Sequence, residues 1–222
     1  MGMKKWQTAE IDRALAKELA EECDIDPIIA LIAVERGYTD PAALEEFISD
    51  EPCFDDPALL ADIEKAADII NNAVNGKIKT AVYGDYDCDG VTATALLYSY
   101  LQSRGANCIY YIPDRISEGY GMNTAAVDRL AKEGVRLIVT VDNGIAAADE
   151  ILYAKTLGID VVVTDHHLPQ GALPPAAAVV DPHRGDCPSV FKEICGAHVA
   201  FKLVCVMEGK QQEEMLPYFA DL

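Results

Sequence analysis

From residue 77 to residue 181, short apolar runs alternate with helical stretches, and no other feature of the chain limits its fold so tightly. "IKTAVYG" reads as a strand and "VTATALLYSYLQSRG" as a helix closed by Gly105. "NCIYYIP" is the next strand, and "NTAAVDRLAKEG" is a helix with Asn123 as its cap and Gly134 at its end. "VRLIVTV", "IAAADEILYAKTLG", "IDVVVT" and "AAAVV" continue as strand, helix, strand and strand. Strands that alternate with helices predict an α/β fold, a doubly wound parallel sheet with helices on both faces. Further helices are expected near 197–208 and 211–222. Residues 8–73 read as helical, with Asp26-Pro27 and Asp40-Pro41 as cap-and-proline helix starts. The expected division is an N-terminal helical segment over 1–56 and the α/β domain over 57–222.

The acids fall where such a sheet would gather them. Asp85 follows the first strand, Asp142 follows "IVTV", Asp165 follows "VVVT" and Asp181 follows "AAVV". In an open parallel sheet these strand ends share one edge, and ligands bind in the crevice beyond it. A single aspartate after a strand is as readily a turn or cap residue. Four of them, with His166 and His167 beside one, predict convergence on a site.

The densest cluster is "DYDCDG", which sets Asp85, Asp87 and Asp89 at alternate positions. A calcium loop of the EF-hand type needs a bidentate Glu at its twelfth position, which here is Leu96. An aspartyl-phosphate phosphatase of the haloacid-dehalogenase type would use Asp87 as nucleophile and Asp89 as acid. It would leave "DHH" idle, and its downstream lysine and late acidic pair find no convincing match. A two-metal phosphoesterase uses all the parts, because "VTVDNG" supplies Asp142 and "TDHHLP" supplies Asp165, His166 and His167. Carboxylate and imidazole together suit Mn²⁺ or Mg²⁺. Two such ions, roughly 3.5–4 Å apart, clamp a phosphodiester and activate a water.

The net charge of −19, from 37 acidic and 18 basic residues, argues against broad electrostatic capture of nucleic acid by this chain. The seven cysteines form no C-x-x-C pair and follow no secretory signal, so they read as reduced, mostly buried and cytoplasmic. A zinc site from Cys187, Cys195 and His198 matches no strong spacing. The charged start reads as an amphipathic helix, and no apolar run is long enough to span a bilayer.

"DYDCDG", "VDNG" and "DHH" together resemble the motifs of the DHH phosphoesterase family. "ERGYTDPAALEEFI", "IPDRISEGYGMN" and "ICGAHVAFKLV" after "VDPHRG" resemble the branch that degrades single-stranded DNA from its 5′ end. The resemblance implies a metal-dependent exonuclease of DNA repair and recombination that binds two Mn²⁺ or Mg²⁺ ions and single-stranded DNA. It implies Asp87, Asp89, Asp142 and His166 as metal ligands, with Asp142 bridging, and Asp85 and Asp165 as ligands or as residues orienting them. It implies His167 at the scissile phosphate and Arg115, Tyr120 and Gly121 on the substrate. Two bland alternatives are an Arg115–Glu118 surface ion pair and an ordinary loop tyrosine. Asp221 in "YFADL" matches a fourth family aspartate, which the resemblance implies is a further metal ligand. The family's DHHA1 and OB-fold domains have no counterpart here, so the chain is expected to be the amino-terminal part of a longer protein. An oligonucleotide or cyclic-dinucleotide phosphodiesterase shares the metal motifs. A degenerate nucleic-acid-binding domain is disfavoured by the intact motif set.

Overall fold

The computed structural model describes residues 10–49 and 54–221. The chain divides into two units, with the break between Cys53 and Phe54.

The first unit holds three helices, α1 (Arg13–Glu22), α2 (Pro27–Glu35) and α3 (Pro41–Ile48). Both expected cap-and-proline starts are present. Asp26 Oδ1 accepts from Ile28 N at 2.8 Å, and Asp40 Oδ1 accepts from Ala43 N at 3.0 Å. These caps satisfy amides that a helix start leaves open, while proline at the first position forfeits none. Leu19, Ala30 and Leu44 form the centre of a small core. The expected helix at the very start of the chain lies partly outside the described residues.

The second unit opens with α4 (Ile63–Asn75). The sheet follows: β1 (Thr80–Tyr83), β2 (Cys108–Tyr111), β3 (Leu137–Val141), β4 (Asp160–Thr164) and β5 (Ala178–Val180). Between and after the strands run α5 (Cys88–Ser103), α6 (Thr124–Lys132), α7 (Ala148–Thr156) and α8 (Gly196–Glu208). The strand order is β2-β1-β3-β4-β5, every pair parallel. Alternate strand residues serve opposite layers. Val82, Val139, Val162 and Val180 pack with α4, α5 and α8. Ala81, Ile138, Val161 and Val179 pack with α6 and α7. With both faces covered, the strands read as nearly continuous apolar runs, and each buried valine or isoleucine contributes about 1.5–3 kcal/mol.

The strand order reverses between β1 and β3, which opens a crevice beyond their carboxyl ends. Register then levels the acids. Tyr83 pairs with Thr140, Val141 with Thr164, and Thr164 with Val180. Continuing each pairing past the strand end sets Asp85, Asp142, Asp165 and Asp181 abreast in one row. Asp142 N still donates to Thr164 O, and Asp165 N to Val180 O.

Three expectations change. The helix expected over "IAAADEILYAKTLG" starts only at Ala148, because Ile145 N donates to Asp165 Oδ2 at 2.8 Å instead of entering a helix. The helix expected over 211–222 is one turn at Gln212–Met215 and a 3₁₀ turn at Leu216–Tyr218, since Pro217 cannot continue it. The cysteines are not mostly buried. Cys187 and Cys205 are, Cys88 and Cys195 are exposed, Cys23 and Cys108 are intermediate, and Cys53 lies outside the described residues.

Candidate metal centre

The turn after β1 carries the first cluster. Asp85 is buried, and its Oδ1 accepts from Tyr86 N at 2.7 Å. Asp87 caps α5, taking Gly90 N on Oδ1 at 2.9 Å, and negative charge there is favoured by the helix dipole. Position 90 must be glycine, since a Cβ there would sit 2.6 Å from the Cβ of Asp85. Asp89 looks outward from the first turn of α5 to another helix. Its Oδ2 and Oδ1 accept from Gly196 N and Ala197 N, each at 2.7 Å. Helix α8 has no capping side chain of its own, so Asp89 caps it across space.

Asp142 stands at the centre. It is buried and adopts a left-handed backbone at φ 61°, sparsely populated by non-glycine residues and tolerated best by Asp and Asn. Asn143 fixes this turn by donating to Tyr83 O at 3.2 Å and Val141 O at 2.9 Å. The Asp142 Oδ1 has no aligned hydrogen-bond donor, although His166 Nε2 lies 3.1 Å away. Burial, its main perturbation, pushes the Asp142 carboxyl up to about 6. His166 Nε2 also lies 3.4 Å from Asp89 Oδ2, and contact with Asp142 raises its pKa.

Asp165 gathers four hydrogen bonds. Ile145 N donates to its Oδ2, and His166 N, His167 N and His167 Nδ1 donate to Oδ1 at 2.7, 3.2 and 2.7 Å. Three of the four donors come from the histidine pair, so Asp165 holds the two histidines in place. Its contact lifts the His167 pKa to about 9, leaving Nε2 as the remaining ring nitrogen. Asp181, at the end of the row, is fully buried and pushed up to about 6, mainly by burial; its Oδ2 has no donor.

Two groups of donor atoms come within 4.8 Å of one another, Asp85–Asp87–Asp142 and Asp142–His166–His167. Asp142 belongs to both. The buried, donorless Asp142 oxygen and the mix of hard carboxylates with imidazole fit divalent cations. The sequence reading left Asp85 as a ligand or an orienting residue, put His167 at the scissile phosphate and set Asp89 among the ligands. Here Asp85 and His167 join the groups, and Asp89 reaches them through His166.

The other expected residues divide. Tyr120 Oη lies 3.4 and 3.5 Å from the His167 ring nitrogens, at the mouth of a cleft of about 270 Å³. Gly121 lines the same cleft, beside Ile145, Ala147 and Leu168. Arg115 is exposed and makes no ion pair with Glu118. Glu118 instead accepts from the Tyr111 hydroxyl, from Asn123 Nδ2 and from Asp114 N. Asp221 is exposed and joins neither donor group, so the fourth contribution expected of it is not made here. The zinc alternative also fails among the described residues, since His198 Nε2 is bound to Gln212 Oε1 at 2.7 Å. Sequence reasoning missed Asn143 and Gly196. The first was visible inside "VDNG", whereas the second needs the tertiary approach of α8 to Asp142.

Comparison with known proteins fits this geometry. The single-stranded-DNA-specific exonuclease RecJ of Bacillus subtilis (strain 168) is 40% identical over 213 residues, which is 96% of this chain and 27% of that protein. A crystal structure of exonuclease RecJ bound to manganese has 35% identity and a TM-score of 0.63, over 68% of this chain and 38% of that one. RecJ from Thermus thermophilus in complex with Mn²⁺ has 28% identity and a TM-score of 0.68, over 93% and 29%. The chain thus spans only about a quarter to two fifths of these relatives. Residues 79–222 match the family described as "DHH family, N-terminal domain", so the chain belongs to the DHH family.

Proposed function

We propose that this chain carries the hydrolytic site of a metal-dependent 5′→3′ exonuclease acting on single-stranded DNA. One observation carries the reading: Asp142 is shared by two donor groups at a parallel-sheet switch point, with His167 beside them. Asp85, Asp87, Asp142 and His166 would hold two Mn²⁺ or Mg²⁺ ions. Bound there, the ions supply Lewis acidity toward the phosphodiester and its attacking water. The protein's own work is placement. Asp165 fixes both histidines, Asp89 locks α8 against α5, and His167, held cationic, offers Nε2 to a phosphate oxygen. Arg115 is a second phosphate donor, and Tyr120 offers a ring to a base or sugar.

The protein containing this chain, supplied with Mn²⁺, is expected to release mononucleotides from the 5′ end of a labelled single strand and to leave blunt duplex intact. Hydrolysis of cyclic dinucleotides or very short oligonucleotides without attack on long single strands would move the assignment to the sister phosphodiesterases. The aspartyl-phosphate mechanism does not survive the family assignment.

Metal binding should depend on pH. Asp142 is protonated below about 6 and must shed that proton to ligate. The His166 pKa is raised as well, so its proton competes in the same direction. Mn²⁺ affinity is therefore expected to fall about tenfold per unit for each proton displaced as pH drops below 6, and so up to about a hundredfold per unit. Calorimetric titration at pH 5 and pH 7.5 checks this, and equal affinities would remove Asp142 from the ligand set.

A further inference from the structure

"DYDCDG" contains one residue that the metal centre leaves unused. Tyr86 sits between two acidic ligands, and its backbone N–H serves Asp85. Its half-buried ring points elsewhere, with the Arg115 guanidinium carbon 5.3 Å from the ring centroid. Arg115 forms no ion pair among the described residues, although the chain carries 37 acidic side chains. The loop that carries it is braced at both ends. Asp114 Oδ1 accepts from Ile116 N, Ser117 N and the Ser117 hydroxyl at 3.1, 2.9 and 2.8 Å. Glu118 ties the far side to Tyr111 and Asn123.

We propose that Tyr86 is a positioning residue that holds Arg115 over its ring at the edge of the metal centre, so that the guanidinium meets a backbone phosphate of the substrate strand. This rests on the exonuclease reading above. The physical reason is orthogonality. A ring engages the face of a guanidinium, while phosphate recognition uses the N–H groups in its plane. A carboxylate partner would hold Arg115 equally well but would consume those donors and neutralise the charge. Tyrosine fixes the side chain and leaves both free, so less rotamer freedom remains to be lost when the strand binds.

The test is steady-state kinetics of the whole protein on single-stranded DNA, with a double-mutant cycle. Tyr86→Leu is expected to raise KM about two- to fivefold, the size of an exposed cation–π contact, with kcat and Mn²⁺ affinity kept. Mn²⁺ affinity is the structural control, because the Asp85 contact comes from the backbone of residue 86. Tyr86→Phe keeps the ring and is expected to restore the wild-type KM. In an Arg115→Ala background, Tyr86→Leu is expected to add nothing. An unchanged KM for Tyr86→Leu overturns the proposal, and so does a full additional loss in the Arg115→Ala background, which would mean that Tyr86 touches the strand itself. Wild-type protein without activity on single strands would sink the functional reading first, and this proposal with it.

Discussion

Asp142→Asn is expected to leave a protein that folds at least as well as wild type and hydrolyses nothing. Asparagine keeps the shape of the side chain and tolerates the left-handed backbone at φ 61°, so the turn survives. The negative charge does not. Asp142 is the one residue common to both donor groups, so its loss weakens both metal positions together. Several kcal/mol of charge stabilisation disappears, and activity should drop by about a thousandfold or more. Stability should move the other way. Burial raises the Asp142 pKa to about 6, so at pH 7 the metal-free fold carries a charge that it disfavours. A neutral amide relieves that penalty, on the order of 1–3 kcal/mol. Thermal unfolding in EDTA beside an exonuclease assay in Mn²⁺ checks both halves. Retained activity would sink the two-metal scheme, and a lower melting temperature would show that the charge is compensated.

Gly196→Ala is the second large effect, and it comes from a residue with no chemistry of its own. A Cβ at position 196 would lie 2.6, 2.7 and 2.8 Å from Asp142 Cβ, Oδ1 and Cγ. Asp142 cannot retreat, because its turn is held by Asn143 and it is buried. The start of α8 must therefore move, and with it the two amides that bind Asp89. Overpacking of this kind destabilises by about 1–3 kcal/mol. A displacement of the reacting groups by about 1 Å costs about a hundredfold in rate. The expected result is loss of both melting temperature and turnover, with Mn²⁺ affinity reduced. Gly185→Ala is the control, since a Cβ there meets nothing within 4 Å. If Gly196→Ala behaved like the control, the close approach of α8 to the metal centre would be wrong.

The fold was legible where local pattern decides it. Apolar runs such as "VRLIVTV" and "IDVVVT", rich in β-branched residues and set between helical stretches, read as two-face-buried strands, and aspartates directly after parallel strands fall at one sheet edge. The register that levels Asp85, Asp142, Asp165 and Asp181 was not legible, because strand pairing is a tertiary property. Nor was the division of labour among the acids. Asp89 and Asp165 look alike in the sequence. One spends its oxygens on the amides of α8, and the other accepts from four donors around the histidine pair. The fate of Arg115 was hidden for a related reason. Its nearest acid in the chain, Glu118, is the obvious partner, yet Tyr111, Asn123 and Asp114 claim that carboxylate and leave the arginine to a ring from another strand's turn.

The row of four aspartates also bears on how the domain folds. Its members come from four strands and span residues 85 to 181, so no hairpin or single β-α-β unit assembles them. Each also repels its neighbours, which makes the row a seam of local frustration in a sheet whose buried residues are otherwise uncharged. A cation that settles there can do so only once β1, β3 and β4 are docked, because its donors come from the turns after those three strands. It therefore discriminates against any sheet in which one of these three is missing, and at a concentration a hundredfold above its Kd it would favour the native state by about 2.7 kcal/mol. The same carboxylates that weaken the empty sheet thus make the docking of its central strands the condition for binding.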